Sequence, residues 1–185
     1  MDDAARPEPA AEPGVEPPRS ALRVRPAEPR DVPTLLELFA GLAEYEHLTH
    51  ELRATERGLA TALFGPSPAA EALIAERDGR ALGYALYFPT FSSFLTSTGI
   101  WLEDLFVLPA HRGEGAGRAL LAAVAARVRE RGGERLEWAA LDWNELALGF
   151  YRRMGAATAS EWITHRLDGV ELELVAELGD PPTQA

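Results

Sequence analysis

The 185-residue sequence contains no cysteine, which excludes a disulfide framework, a thiolate metal site and a cysteine nucleophile. It has no run of about 18 apolar residues able to cross a bilayer, and its start lacks the apolar core and small-residue cleavage site of a secretory signal, so a cytosolic location is expected. Positive charge is scarce too: 18 Lys+Arg stand against 29 Asp+Glu, a formal net charge of −11. Nucleic acid and anionic membrane both need clustered positive charge, so neither fits as a partner, and a cationic substrate suits the chain better. No internal repeat with a period of about 20 to 50 residues is present.

What remains fits one α/β domain, because 46% of the residues are hydrophobic and a domain takes roughly 100–200 residues. Residues 1–20 hold five Pro and five acidic residues, with Val15 the only large aliphatic after Met1. They read as a disordered tail, residues 21–180 as the domain, and 181–185 as a short second tail. Leu22 and Val24 alternate with arginines in a strand ending at Pro26, and Asp31 is placed to cap a helix whose stripe (Val32, Leu35, Leu36, Phe39, Leu42) carries Tyr45 and Glu46 to its end. A second helix is expected from Thr55 to Phe64, stopped by Gly65-Pro66. Ala72–Glu76 and Ala81–Phe88 form a hairpin about Asp78-Gly79, a pair suited to a primed turn.

Further strands are expected at Ile100–Leu108 and Leu136–Leu141, with an amphipathic helix between them ending at Gly132-Gly133. A short helix from Glu145 to Met154 is closed by Gly155. Alternation in Glu161–Leu167 and Val170–Val175, joined by Asp168-Gly169, predicts a closing hairpin. The consecutive hairpins imply a mixed rather than all-parallel sheet.

The densest chemistry lies in Leu102-Glu103-Asp104-Leu105-Phe106-Val107, followed by Arg112-Gly113-Glu114-Gly115-Ala116-Gly117-Arg118. A strand feeding a Gly-rich turn that opens a helix aims unpaired N–H groups and the positive helix end at one point, where a phosphate can bind; the alternative is a purely structural glycine turn. A P-loop is excluded because the loop has no Lys. A dinucleotide fingerprint is excluded because Arg118 stands where its third Gly belongs. His47, His50, His111 and His165 show no metal-ligand grouping, and Ser92 and Ser93 lack a nucleophile-elbow context.

Arg112-x-x-Gly115-x-Gly117 resembles the acetyl-CoA pyrophosphate loop of the GNAT superfamily of acyltransferases. Leu102-Glu103-Asp104, Asp142-Trp143-Asn144, Phe150-Tyr151 and Ala43-x-Tyr45-Glu46 are similar to its spermidine/spermine and thialysine N-acetyltransferase branch, over about residues 22 to 178. The resemblance implies a GNAT fold, a central twisted mixed β-sheet flanked by helices, and direct acetyl transfer from acetyl-CoA to a primary amine, without a metal. It implies that backbone of Leu105, Phe106 and Val107 holds the pantetheine arm, and that the loop from Arg112 to Arg118, with Gly113, Glu114, Gly115, Ala116 and Gly117, takes the pyrophosphate. Asn144, Ala147 and Tyr151 are further cofactor contacts on the same basis. An alkylammonium has a pKa near about 10 and must lose a proton before attack, and Glu103, directly or through water, is the candidate base. By the same resemblance Tyr151 is the acid for the departing thiolate, and Tyr45, Glu46, Glu103, Asp104 and Trp143 face the amine, Trp143 serving equally well as a pocket wall.

One departure bears on the substrate. Polyamine acetylases place an acidic residue and a tryptophan in the loop at Phe91–Gly99, and Ser93 stands near that place here. A short amine or amino-acid side chain, thialysine-like, is therefore expected over spermine. The branch implies a homodimer. The rival readings are a non-catalytic acyl-CoA-binding module and a protein lysine or N-terminal acetyltransferase.

Overall fold

A computed structural model of the chain describes residues 21–178; both expected tails fall outside the described residues. The elements in order are β1 (Arg23–Pro26), α1 (Val32–Tyr45), α2 (Glu56–Phe64), β2 (Glu71–Arg77), β3 (Arg80–Ser92), β4 (Ser97–Val107), α3 (Ala116–Glu130), β5 (Arg135–Glu137), α4 (Glu145–Arg153) and α5 (Gly169–Glu177). They fall into two compact units that divide between Ala139 and Ala140.

The first unit is built on a five-stranded sheet in the order β1-β2-β3-β4-β5. The first four strands pair antiparallel and β5 joins β4 in parallel. The β2–β3 hairpin closes through Asp78 (φ 52°) and Gly79 (φ 72°), as its Asp-Gly pair requires. Ile74, Tyr84 and Phe106 lie side by side across three strands and pack with Val32, Leu35, Leu38, Leu59 and Leu63 of α1 and α2. Leu73 and Ala85 point the other way by strand alternation. They are equally buried, on the face where α3 packs through Leu120, Leu121, Val124 and Val128.

Asp31 stands at the start of α1 without capping it. The second residue of that helix is Pro33, which has no N–H to offer a cap. Its carboxylate instead takes the Arg25 guanidinium in two hydrogen bonds (2.6 and 2.9 Å) and accepts the Glu28 N–H at 2.8 Å. Thr55 does cap α2, its Oγ1 accepting the Gly58 N–H at 3.1 Å.

β5 ends at Glu137, short of the expected Leu141, because its ladder runs only along Gly99–Trp101 of β4. Just beyond, Leu102 opposes Tyr87 and Asp104 opposes Leu86, so Glu103 is one extra residue in β4. Such a bulge bends and twists its strand and ends regular pairing. No strand among the described residues pairs with the outer edge of β4 from Leu102 to Val107.

The second unit holds α4 and α5. The expected hairpin is absent: 161–167 forms neither helix nor strand, and Gly169–Glu177 is helical. A strand needs a neighbour for its N–H and C=O groups, whereas the run Glu171-Leu172-Glu173-Leu174-Val175-Ala176-Glu177 is rich in good helix formers and satisfies its own backbone.

Candidate active site

The bulge decides where the acids point. Tyr84 lies on the α1 face, so Leu86 and Phe88 do too, and so do their partners Asp104 and Trp101. The Trp101 indole N–H donates to Glu103 at 2.9 Å, which draws that carboxylate toward the same face. Two consecutive residues of one strand thus present carboxylates together, which regular alternation forbids. The Tyr84 phenol donates to Asp104 at 3.0 Å. Burial nevertheless pushes Asp104 up to about 6, and the neighbouring charges of Glu103 and Glu46 push the same way. Glu46, at the end of α1, is also raised by burial. No cation pairs with Glu46, Glu103 or Asp104 among the described residues. Asp104 thus feels two neighbouring negative charges, Glu103 being exposed and Glu46 and Asp104 partly buried.

The loop after β4 is held from two sides. Gly113 (φ 79°) and Gly115 (φ 92°) both take the left-handed backbone. Gly115 is the residue before α3, so the N–H groups of Ala116, Gly117 and Arg118 open the helix without intrahelical acceptors. A turn of this kind, its donors converging at the positive end of a helix dipole, fits a phosphate group. Arg112 is turned inward: its Nε–H donates to the Val107 carbonyl at 3.1 Å, its guanidinium lies 4.3 Å from the centre of the Tyr45 ring, and its own N–H is taken by Pro109. Phe106 is 3% exposed and packs near Tyr84, leaving only its backbone for a ligand. Leu105 and Val107 are half-buried on the strand whose outer edge is open.

In the second unit Asn144 caps α4, its Oδ1 accepting the Ala147 N–H at 3.1 Å. Tyr151 sits in the last turn of that helix, half-buried, its ring 5.3 Å from that of Phe150, and Gly155 (φ 85°) closes the helix. Trp143 is 48% exposed.

Three residues of the site carry no sequence signal. Tyr84 and Trp101 read as ordinary strand aromatics, yet they hold the two acids. Arg77, at the end of β2, pairs with Glu114 of the loop. No group of three or more potential metal ligands comes together among the described residues, and no described helix is long and apolar enough to cross a membrane.

Residues 33–156 match the model of the acetyltransferase (GNAT) family. The chain belongs to the GNAT family. Among GNAT relatives, an L-ornithine N5-acetyltransferase of Arabidopsis thaliana is 32% identical over 94% of this chain and 97% of its own length. A thialysine N-epsilon-acetyltransferase of Bos taurus is 32% identical over 84% of this chain and 97% of its own. Among solved structures, an integron cassette protein from the mobile metagenome of V. cholerae superimposes with a TM-score of 0.73 at 26% identity, covering 85% of this chain and 99% of that one. This GNAT chain is an acetyl-CoA-dependent N-acetyltransferase with the mixed sheet and flanking helices of that fold.

Proposed function

We propose that the acceptor is the terminal amine of a short cationic molecule, a basic amino acid of ornithine or thialysine type. The observation that carries this is that Asp104 feels the charges of Glu103 and Glu46, and that none of the three carboxylates has a cationic partner among the described residues. An alkylammonium supplies the missing charge. The names of the relatives point the same way, since one acts on L-ornithine and others on thialysine. The turn between β3 and β4, with exposed Phe91, Phe94 and Leu95 and no acid from Phe91 to Gly99, offers nothing to a distant second ammonium.

Acetyl-CoA supplies the activated thioester, and the residues supply binding and proton handling. Amides from Gly113 to Arg118 receive the pyrophosphate, with Arg112 bracing the loop against β4 and Tyr45. The open edge of β4 at Leu105, Phe106 and Val107 pairs with the amide-bearing pantetheine arm as an added strand does, and one of its N–H groups polarises the thioester carbonyl. Asp104 and Glu46 hold the ammonium. Glu103 takes its first proton, directly or through water, so that the nitrogen lone pair forms the C–N bond. As the C–S bond breaks, Tyr151 protonates the thiolate and is recharged by the second proton from nitrogen. Asn144 and Ala147 start the helix that carries Tyr151, and the family resemblance gives Trp143 a role toward the amine. The homodimer implied by the branch and the cytosolic placement expected from the sequence belong to the same proposal, open to sedimentation and cell fractionation.

Thiol release from acetyl-CoA, followed across an amine panel, tests the reading. Ornithine, lysine and thialysine are expected to exceed spermidine, spermine and a lysine-containing peptide in kcat/KM. Faster turnover of the peptide overturns it in favour of protein acetylation; no turnover of any amine favours a non-catalytic module.

A further inference from the structure

The phosphate-binding turn contains a residue that opposes its task. Glu114 stands between Gly113 and Gly115, the only acid from Arg112 to Arg118. A helix N-terminus contributes roughly half a positive charge, so a full negative charge at the centre of the turn reverses its sign. The opposing charge comes from another part of the sheet. Arg77 is the last residue of β2, beside the Asp78-Gly79 turn, and its guanidinium pairs with the Glu114 carboxylate. Both side chains are largely withdrawn from solvent, 15% and 26% exposed. His111 stands 3.9 Å from the same carboxylate. The Arg77 Nε–H is buried without an acceptor among the described residues, which costs stability, so this arginine is poorly explained as a fold-stabilising ion pair.

We propose that Arg77 is a positioning residue for cofactor binding: by neutralising Glu114 and holding its carboxylate toward the β2–β3 hairpin, it keeps the turn positive for the diphosphate of acetyl-CoA. This rests on the assignment of the Gly113–Arg118 turn to the pyrophosphate. It predicts a defect confined to the charged part of the cofactor. In Arg77→Gln the KM for acetyl-CoA rises about tenfold, while kcat at saturating acetyl-CoA and the KM for the amine stay within about twofold. The defect shrinks as salt rises, because screening weakens the freed charge.

Three comparisons separate this from a structural role. Acetyl-pantetheine has the same thioester and no diphosphate, so its KM is the same in Arg77→Gln and the parent enzyme. Adding Glu114→Gln to Arg77→Gln removes the freed charge and restores the KM for acetyl-CoA to within about threefold. Glu114→Gln alone lowers that KM about twofold, which decides the matter should Arg77→Gln fail to fold. An Arg77→Gln defect that extends equally to acetyl-pantetheine, or survives Glu114→Gln, overturns the proposal, as does a raised KM in Glu114→Gln alone. Gly115→Val separates the two levels. If it leaves CoA binding unchanged, the loop assignment falls and this proposal with it; if it weakens binding while Arg77→Gln does not, only the role of Arg77 falls.

Discussion

Replacing Gly115 by valine isolates what the loop does for the cofactor. Gly115 has φ 92°, a conformation that costs an L-residue about 1–2 kcal/mol and a β-branched one more. A Cβ built there meets nothing within 4 Å, so the strain of the variant lies in its backbone and not in a clash of the added Cβ. Strain alone lowers the thermal midpoint by about 2–4 °C per kcal/mol in a chain of this size. If the turn receives the pyrophosphate, the valine methyls occupy its approach, and CoA affinity falls at least about tenfold, or about 1.4 kcal/mol. Gly132 is the internal control: its φ is 68°, its Cβ also meets nothing, and it follows the far end of α3. Fifteen helical residues put that end about 22 Å away. Gly132→Val should therefore lose similar stability and keep CoA affinity. Calorimetric titration with CoA at 25 °C, after circular dichroism shows both variants folded, makes the measurement. Wild-type CoA affinity in folded Gly115→Val refutes the loop assignment; equal losses in both variants reduce the effect to strain.

Asp104, with its pKa raised to about 6, is charged above that pH and neutral below it. Its hold on a cationic amine is present at neutral pH and lost as pH falls, so the KM for the amine should rise about tenfold one unit below the pKa; Asp104→Asn should raise KM at pH 7.5 and abolish the step in the KM–pH profile. Tyr151→Phe keeps the ring beside Phe150 and should lower kcat about 10²- to 10⁴-fold with CoA affinity unchanged; near-wild-type kcat under chemistry-limited conditions assigns the proton to water. Asp31→Asn should cost about 3 kcal/mol in urea denaturation, because it leaves Arg25 buried with half its partners. Arg25 holds the Asp31 carboxyl below its usual range, so that stability is present above the unfolded pKa of about 4 and is lost as pH falls through the lower folded value. The difference between Asp31→Asn and wild type should shrink in acid.

Local signals were legible and long-range ones were not. Thr55, Gly65 and the Asp78-Gly79 pair mark α2 and the hairpin because caps and turns depend on a few adjacent residues. Asn144 caps α4 for the same reason. The alternation of Val170, Leu172 and Leu174 misled because a period of two shows which residues share a strand face but not whether a partner strand exists. The motif around Leu102-Glu103-Asp104 was visible in sequence, but the bulge was not. It is set by the pairing of β4 with β3, and without it Glu103 and Asp104 face opposite sides of the sheet.

Charge shows why that bulge matters more than the residues alone. Elsewhere in the first unit buried carboxylates are matched: Asp31 and Glu76 share Arg25, and Glu114 takes Arg77. Glu46, Glu103 and Asp104 have no such match among the described residues, and burial, with the charges of Glu103 and Glu46, raises Asp104. A fold that neutralises its acids where they serve structure, yet leaves these three without a cationic partner among the described residues, supports the proposal that a cationic substrate meets them. The net charge of −11 is therefore less informative than its distribution. Most acids of a surface are solvated and specify nothing; on the proposed reading, the three with no cationic partner among the described residues are the ones that meet the ammonium.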